Sequence, residues 1–377
     1  MSLSNRYKRP TAVLIIHGIG EQHPFQTLDG FASVFWNALE RMNDDVFFTA
    51  KHTLARRSGW IQNCISLSRN DDPLTIDFYE YYWAHKAQRQ VTLPDIVQWL
   101  VETSRGARTF YDENEQLVQQ YEGRSVDAFA RGRFRKHWYL QHLGWFMTLL
   151  SIFPSIVPIK VSRVLAPLLK WIEKKAIDYV GDIVIYTATD IKSKFYSVRK
   201  DILDGAVDEL TCLLNDERYH QIIVAGHSLG SVIGFDALNR MNHAMNMGML
   251  SPELARKIVG FITFGSPLDK VAFFFREHTP DDEYLRRQIL VHYHSFKAKA
   301  LTEQPNPREL TNPFTSYLDH VSWINFWDRD DKVSGQLDFY RVDENIPLSM
   351  GGDMLTAHTA YWEYPEMYER IIRTYFA

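Results

Sequence analysis

The stretch whose reading decides the fold is IIVAGHSLGSVIGFDAL, residues 222–238. A β-branched, apolar run ends in Gly226-His227-Ser228-Leu229-Gly230, and a segment with helical apolar spacing starts at once. A serine between two glycines, at the junction of a buried strand and a helix, predicts a sharp turn built to present a hydroxyl. The glycines let neighbouring chain pass close to that turn. The serine is expected to hold a strained backbone and to stand exposed above the carboxyl edge of a sheet. The helix behind it points free N–H groups at any anion that forms there.

The same alternation recurs on both sides. TAVLIIHGIG (11–20) predicts a buried strand and a Gly-rich turn, and LTIDFYEYYWA (74–84) a second strand. Further strands are expected at QIIVAG (221–226), KIVGFITFGSP (257–267), QILVHYHSF (288–296) and SWINFWD (322–328). Helical spacing marks 27–42, 193–216 and 231–241, and a last helix opens on proline in PEMYERIIRTYF (365–376). Apolar strands alternating with amphipathic helices predict an α/β fold with a mostly parallel central sheet flanked by helices.

Composition fits one large domain spanning 1–377. The chain is 45% hydrophobic and 23% charged, and its net charge of −4 offers no basis for nucleic-acid binding. Two cysteines, Cys64 and Cys212, make no disulfide framework and point to a reducing compartment. The apolar run after the basic N-terminus is too short for a secretion signal, so a cytoplasmic location is expected.

Residues 86–180 interrupt the core pattern and predict a large, mostly helical cap. Within it, 129–175 holds nine Lys/Arg and one acid, and the 22 residues from Trp138 to Ile159 carry no Asp, Glu, Lys or Arg. Pro154 and Pro158 break that stretch and argue against a spanning helix. KVSRVLAPLLKWIEKKA (160–176) has an apolar face opposite lysines, which suits either a cap packed on the site with its basic residues solvated or a cap that also touches an anionic membrane surface.

A serine nucleophile needs an acid and a histidine, here expected in the chain order nucleophile, acid, histidine. SWINFWD runs into DRDDKVSG, which offers Asp328, Asp330 and Asp331 just past a strand end. GGDMLTAHTAYWEYP then places His358 in a loop before the last helix. Asp331 is the preferred acid, with Asp328 and Asp330 as alternatives. The oxyanion needs two N–H donors: Leu229, after the nucleophile, and Ile19 in HGIG (17–20). Gly18 and Gly20 let that loop come close, and His17 reads as its organiser. His292 and His294 lie two apart, as on one strand face, with no further ligand nearby, so no metal site is expected. Ser266 in FGSP lacks the second glycine and reads as a turn at the sheet edge.

HGIGEQ, DFYEYYWA, GDIVIY, AGHSLGSVIGFDAL, FGSPLD, NFWDRDDKVS and AHTAYWEYP together resemble the α/β-hydrolase superfamily. Within it they are similar to the lipase and serine-esterase branch that includes GPI-inositol-deacylase-like proteins. The resemblance covers roughly 8–84 and 180–377, not the cap. It implies Ser228 as nucleophile, His358 as base, Asp331 as acid, and Ile19 and Leu229 as oxyanion donors, with Gly226, His227 and Gly230 in support. It also implies ester hydrolysis without cofactor or metal. The apolar cap favours a lipophilic acyl ester as substrate. Thioesterase, amidase or acyltransferase chemistry would use the same triad. A non-catalytic module at a membrane surface is the alternative of another class.

Overall fold

The computed structural model describes residues 9–19, 23–42, 48–57, 60–69, 75–87, 129–130, 133–134, 186, 193–269, 284–294, 296–297, 310–331, 333–338, 340–351 and 354–376. Eight strands form one sheet: β1 (Thr11–Ile16), β2 (Phe48–Arg57), β3 (Trp60–Arg69), β4 (Thr75–Tyr81), β5 (Gln221–His227), β6 (Ile258–Phe264), β7 (Ser322–Asp328) and β8 (Glu344–Leu348). Their spatial order is β8-β7-β6-β5-β1-β4-β3-β2. Every pairing from β8 to β4 is parallel, and the β2–β3–β4 edge is antiparallel.

β1 shows why the sheet is covered on both faces. All six of its residues are buried. Its side chains alternate, so Val13 and Ile15 join one core while Ala12, Leu14 and Ile16 join the other. Helices α1 (Gln26–Met42) and α7 (Pro365–Tyr375) close the first face. Helix α1 buries Leu28, Phe31, Phe35, Ala38 and Leu39, a stripe at helical spacing. Phe31 meets Tyr368 of α7 edge-on at 5.1 Å between ring centres. Helices α3 (Tyr196–Asn215) and α4 (Leu229–Asn246) close the second face. Nearly all of α4 is buried, and its Gly234 lets it sit close on the ring of Phe261. Each large side chain withdrawn from water contributes roughly 2 kcal/mol before entropy is counted.

Two connections position the site. The chain leaves β1, returns as β4 on one side of it, and later enters β5 on the other. β1 and β5 are in register, Ile16 opposite Gly226. Their carboxyl ends therefore meet at the reversal in strand order, where α/β sheets bind ligands.

Three elements go against or beyond the sequence expectations. Residues 288–296 are not a strand: α5 (Tyr284–Tyr293) is a helix. Ile289 and Val291 suggested a strand, but the periodicity extends upstream, with Leu285, Ile289 and Tyr293 four apart. The Tyr293 ring lies 4.4 Å from the His243 ring of α4, and Asn239 donates to the Tyr293 carbonyl. His292 and His294 thus do not share a strand face. Second, the β2–β3 hairpin went unread. Thr49, Lys51 and His52 are exposed, so no continuous apolar run marks it. Third, β8 contains Pro347, which only an edge strand tolerates.

Most of the expected cap, including 138–159 and 160–176, lies outside the described residues. Within it, Phe129–Ala130 pairs antiparallel with Arg133–Phe134. Among the described residues no helix is long and apolar enough to cross a membrane.

Candidate active site

Ser228 follows β5 directly and α4 begins at the next residue. Its φ of 51° and ψ of −126° are rare for a residue with a side chain, a strain of order 1–3 kcal/mol. The Ser228 N–H is held by the Phe264 carbonyl at the end of β6, at 3.0 Å. The flanking glycines are a steric requirement. A Cβ at Gly230 would stand 2.2 Å from the Ile16 carbonyl oxygen, and one at Gly226 would stand 2.6 Å from that of Gly230.

A hydrogen-bonded chain runs from this serine. His358 Nε2 lies 2.9 Å from Ser228 Oγ, and His358 Nδ1 lies 2.9 Å from Asp331 Oδ2. A carboxylate only accepts, so Nδ1 carries the proton and Nε2 is left to accept from the serine hydroxyl. His358 sits in the short helix α6 (Met354–Thr359) and not in a loop. The Gly-Gly-Asp before it had suggested a loop, but the helix starts just behind.

The three candidate carboxylates part company here. Asp331 is wholly buried and accepts four hydrogen bonds. These come from His358 and the Tyr361 hydroxyl at Oδ2, and from the Val333 and Ser334 N–H groups at Oδ1. Burial pushes its carboxyl up, but these donors, His358 foremost, outweigh it and hold the group at about 2. Asp328 is tied elsewhere, accepting from the Asp330 and Met350 N–H groups at 2.7 and 2.6 Å. Asp330 is exposed.

Tyr361 escaped the sequence reading. Its hydroxyl accepts from the Asp328 N–H, contacts Ser334 Oγ, and donates to Asp331 Oδ2 at 3.0 Å. One available signal was its place three residues after His358, on the same helical face.

His17 lies at the end of β1. The Trp83 N–H donates to its Nε2 at 3.1 Å, so its proton is on Nδ1, which donates to the Gly18 carbonyl at 2.8 Å. Its ring stacks on the Trp83 indole at 4.9 Å. The peptide is planar and trans, so the Ile19 N–H points away from that carbonyl. A Cβ on Gly18 would stand 2.7 Å from Ser228 Cβ, so this loop lies directly on the serine. Ser228 is only 1% exposed, where exposure was expected. Gly20 lies outside the described residues. Leu229 is buried at the first turn of α4.

His227 is also buried, and its Nε2 donates to the His358 backbone carbonyl at 2.9 Å. Burial lowers His227 to about 3, with the nearby His358 adding to it, and burial lowers His17 to about 4. Both stay neutral in the folded chain, whereas unfolded histidines titrate near 6.5. The unfolded state therefore binds more protons below that value. Their contribution to stability is complete above about pH 6.5 and falls away as pH drops toward 4. Urea unfolding is expected to lose roughly 3–4 kcal/mol from the two between about pH 7 and 5. His227→Gln should remove about half of that loss. An unchanged pH dependence in this variant would contradict the buried neutral ring.

Among the described residues no group of three His, Cys, Asp or Glu side chains is placed to hold a metal. A cavity of about 430 Å³ opens beside α3, lined by Lys86, Val198, Asp201, Asp204, Gly205 and Asp208. None of these residues belongs to the Ser228 chain. A scan against protein-family models finds no match, and searches of curated proteins and of solved structures find none either.

Proposed function

We propose that the chain is an α/β-hydrolase acting as a serine esterase on lipophilic carboxylic esters. The observation that carries the reading is the Ser228–His358–Asp331 chain, two 2.9 Å hydrogen bonds long, starting on a strained strand–helix turn. In the reading, the ester carbonyl sits between Ser228 Oγ and two backbone donors, the N–H groups of Ile19 and Leu229. His358 Nε2 takes the serine proton as Oγ attacks the carbonyl carbon. Asp331 holds the imidazole in the tautomer that can accept, and stabilises the imidazolium that forms. The tetrahedral oxyanion is held by the two N–H groups, each worth roughly 3–4 kcal/mol of barrier. His358 returns its proton to the leaving alcohol, and water then hydrolyses the acyl-enzyme by the same sequence in reverse.

Supporting the fold assignment is the location of Ser228 at the strand-order reversal, with the β1 loop against it. Preference for a lipophilic acyl group rests on the uncharged 138–159 stretch, and contact with anionic membrane on the basic residues of 129–175. A fluorophosphonate probe is expected to label Ser228 and no other serine, as read by peptide mass spectrometry. Intact protein that stays unlabelled at millimolar probe would overturn the reading.

A further inference from the structure

We infer that Ser231 and Ser266 form a buried hydroxyl relay that aims the Leu229 N–H at the oxyanion, making both serines positioning residues. The inference rests on the acyl-transfer reading above and concerns the same site. Ser231 Oγ lies 2.5 Å from the Ser228 carbonyl oxygen and 2.7 Å from Ser266 Oγ. Both serines are buried, at 0% and 1% exposure. A carbonyl can only accept, and Ser231 has one hydroxyl proton, so that proton goes to the Ser228 oxygen. Ser266 Oγ lies against the same Ser231 hydroxyl and braces it there. Ser266 Oγ in turn accepts from the Leu268 N–H at 3.3 Å. The three contacts tie the Ser228 carbonyl, through two buried side chains, to the Leu268 backbone.

The consequence lies in one peptide plane. The Ser228 carbonyl and the Leu229 N–H belong to the same trans peptide and point in opposite directions. Fixing the carbonyl on the α4 side therefore fixes the N–H on the side of the substrate. The Ser231 N–H also donates to this carbonyl, at 3.0 Å, as the first turn of a helix provides. The hydroxyl adds a second bond, shorter than that one, at a residue whose backbone is strained. The anchorage comes from the strand next door. The end of β6 holds Ser228 on both sides, by the Phe264 carbonyl on its N–H and by Ser266, through Ser231, on its carbonyl. His17 does the same for the other donor, holding the Gly18 carbonyl so that the Ile19 N–H faces away from it. Ser266, which the sequence suggested was only a sheet-edge turn, thus gains a purpose.

Loss of a whole oxyanion donor lowers kcat by about 10²–10³, and loosening one should lower it less, by about 10–50-fold. Ser231→Ala is expected to show that fall in kcat with KM within about twofold, because the donor bonds to the carbonyl oxygen strengthen chiefly as its negative charge develops. Binding of an aryl trifluoromethyl ketone, which becomes tetrahedral on Ser228, should weaken by the same factor. Ser266→Ala should have a smaller effect in the same direction. The double variant should match Ser231→Ala alone, since the relay runs through Ser231. Unchanged kcat in Ser231→Ala, a change confined to KM, or effects that add in the double variant would overturn the inference. If Ser231→Ala does not fold, Ser266→Ala decides, with kcat and ketone binding falling together in support and both unchanged against. Wild-type protein labelled at Ser228 and turning over, beside a fully active Ser231→Ala, sinks the relay alone. Wild-type protein silent toward ester and probe sinks the acyl-transfer reading and the relay with it.

Discussion

Replacing Ser228 by alanine is expected to lower kcat toward p-nitrophenyl esters by about 10⁶, while the protein still folds. The size of the effect follows from what the site lacks without the hydroxyl. On the proposed reading the oxyanion donors and the binding surface remain, and alone they leave a rate only about 10³–10⁴ above water. Neither Ser231 nor Ser266 can substitute. Ser231 is buried and donates to the Ser228 carbonyl, Ser266 is buried against Ser231, and the hydroxyl that meets His358 Nε2 is that of Ser228. Stability should change by only about 1 kcal/mol, the worth of one neutral hydrogen bond, because alanine inherits the same strained φ. Circular dichroism and a urea titration would verify the fold, and a chromogenic assay with short and long acyl chains would read the rate. A variant that keeps more than a tenth of the wild-type rate would show that the ester is cleaved elsewhere.

The parts of the chain legible in the sequence share one property: their physics is local. β1, β5 and β6 are buried on both faces and read as continuous apolar runs, and the Gly226–Gly230 turn announces itself by its spacing. The β2–β3 hairpin was opaque because an edge is only half buried, and half its residues look like loop. Helix α5 was misread because the window held Ile289 and Val291 but left out Leu285, which shows the helical period. Within the site, Ser228 and His358 stood out by residue type. Choosing among Asp328, Asp330 and Asp331 required tertiary contacts, since all three follow the same strand and differ only in what they reach across space. Tyr361 and the Ser231–Ser266 relay were hidden for the same reason. Neither residue type in isolation announces a partner thirty residues away.

That choice of acid yields the second large effect. Asp331→Asn is expected to lower kcat by about 10⁴, and Asp330→Asn to leave it unchanged. The Asp331 carboxylate accepts at both oxygens, and an amide has one oxygen to offer. With its NH₂ toward His358, the asparagine donates to Nδ1, the ring proton moves to Nε2, and His358 can no longer accept from Ser228. With its NH₂ the other way, it confronts the Val333 and Ser334 N–H groups, which lose their acceptor in a buried site. Lowering the pH is no substitute for the mutation. The carboxyl is held at about 2, so it stays ionised through any range in which esters are assayed. Its contribution to stability is complete above the ordinary carboxylate value of 3.8 and is lost only as pH falls toward 2. Asp328→Asn is the control that separates structure from chemistry. It should cost about 1–3 kcal/mol of stability, through the Asp330 or Met350 N–H left without its acceptor, yet keep kcat within about tenfold. Were Asp328→Asn to lose as much turnover as Asp331→Asn while remaining folded, the acid would have to be reassigned, because of the three carboxylates it is Asp331 that bonds the imidazole facing Ser228.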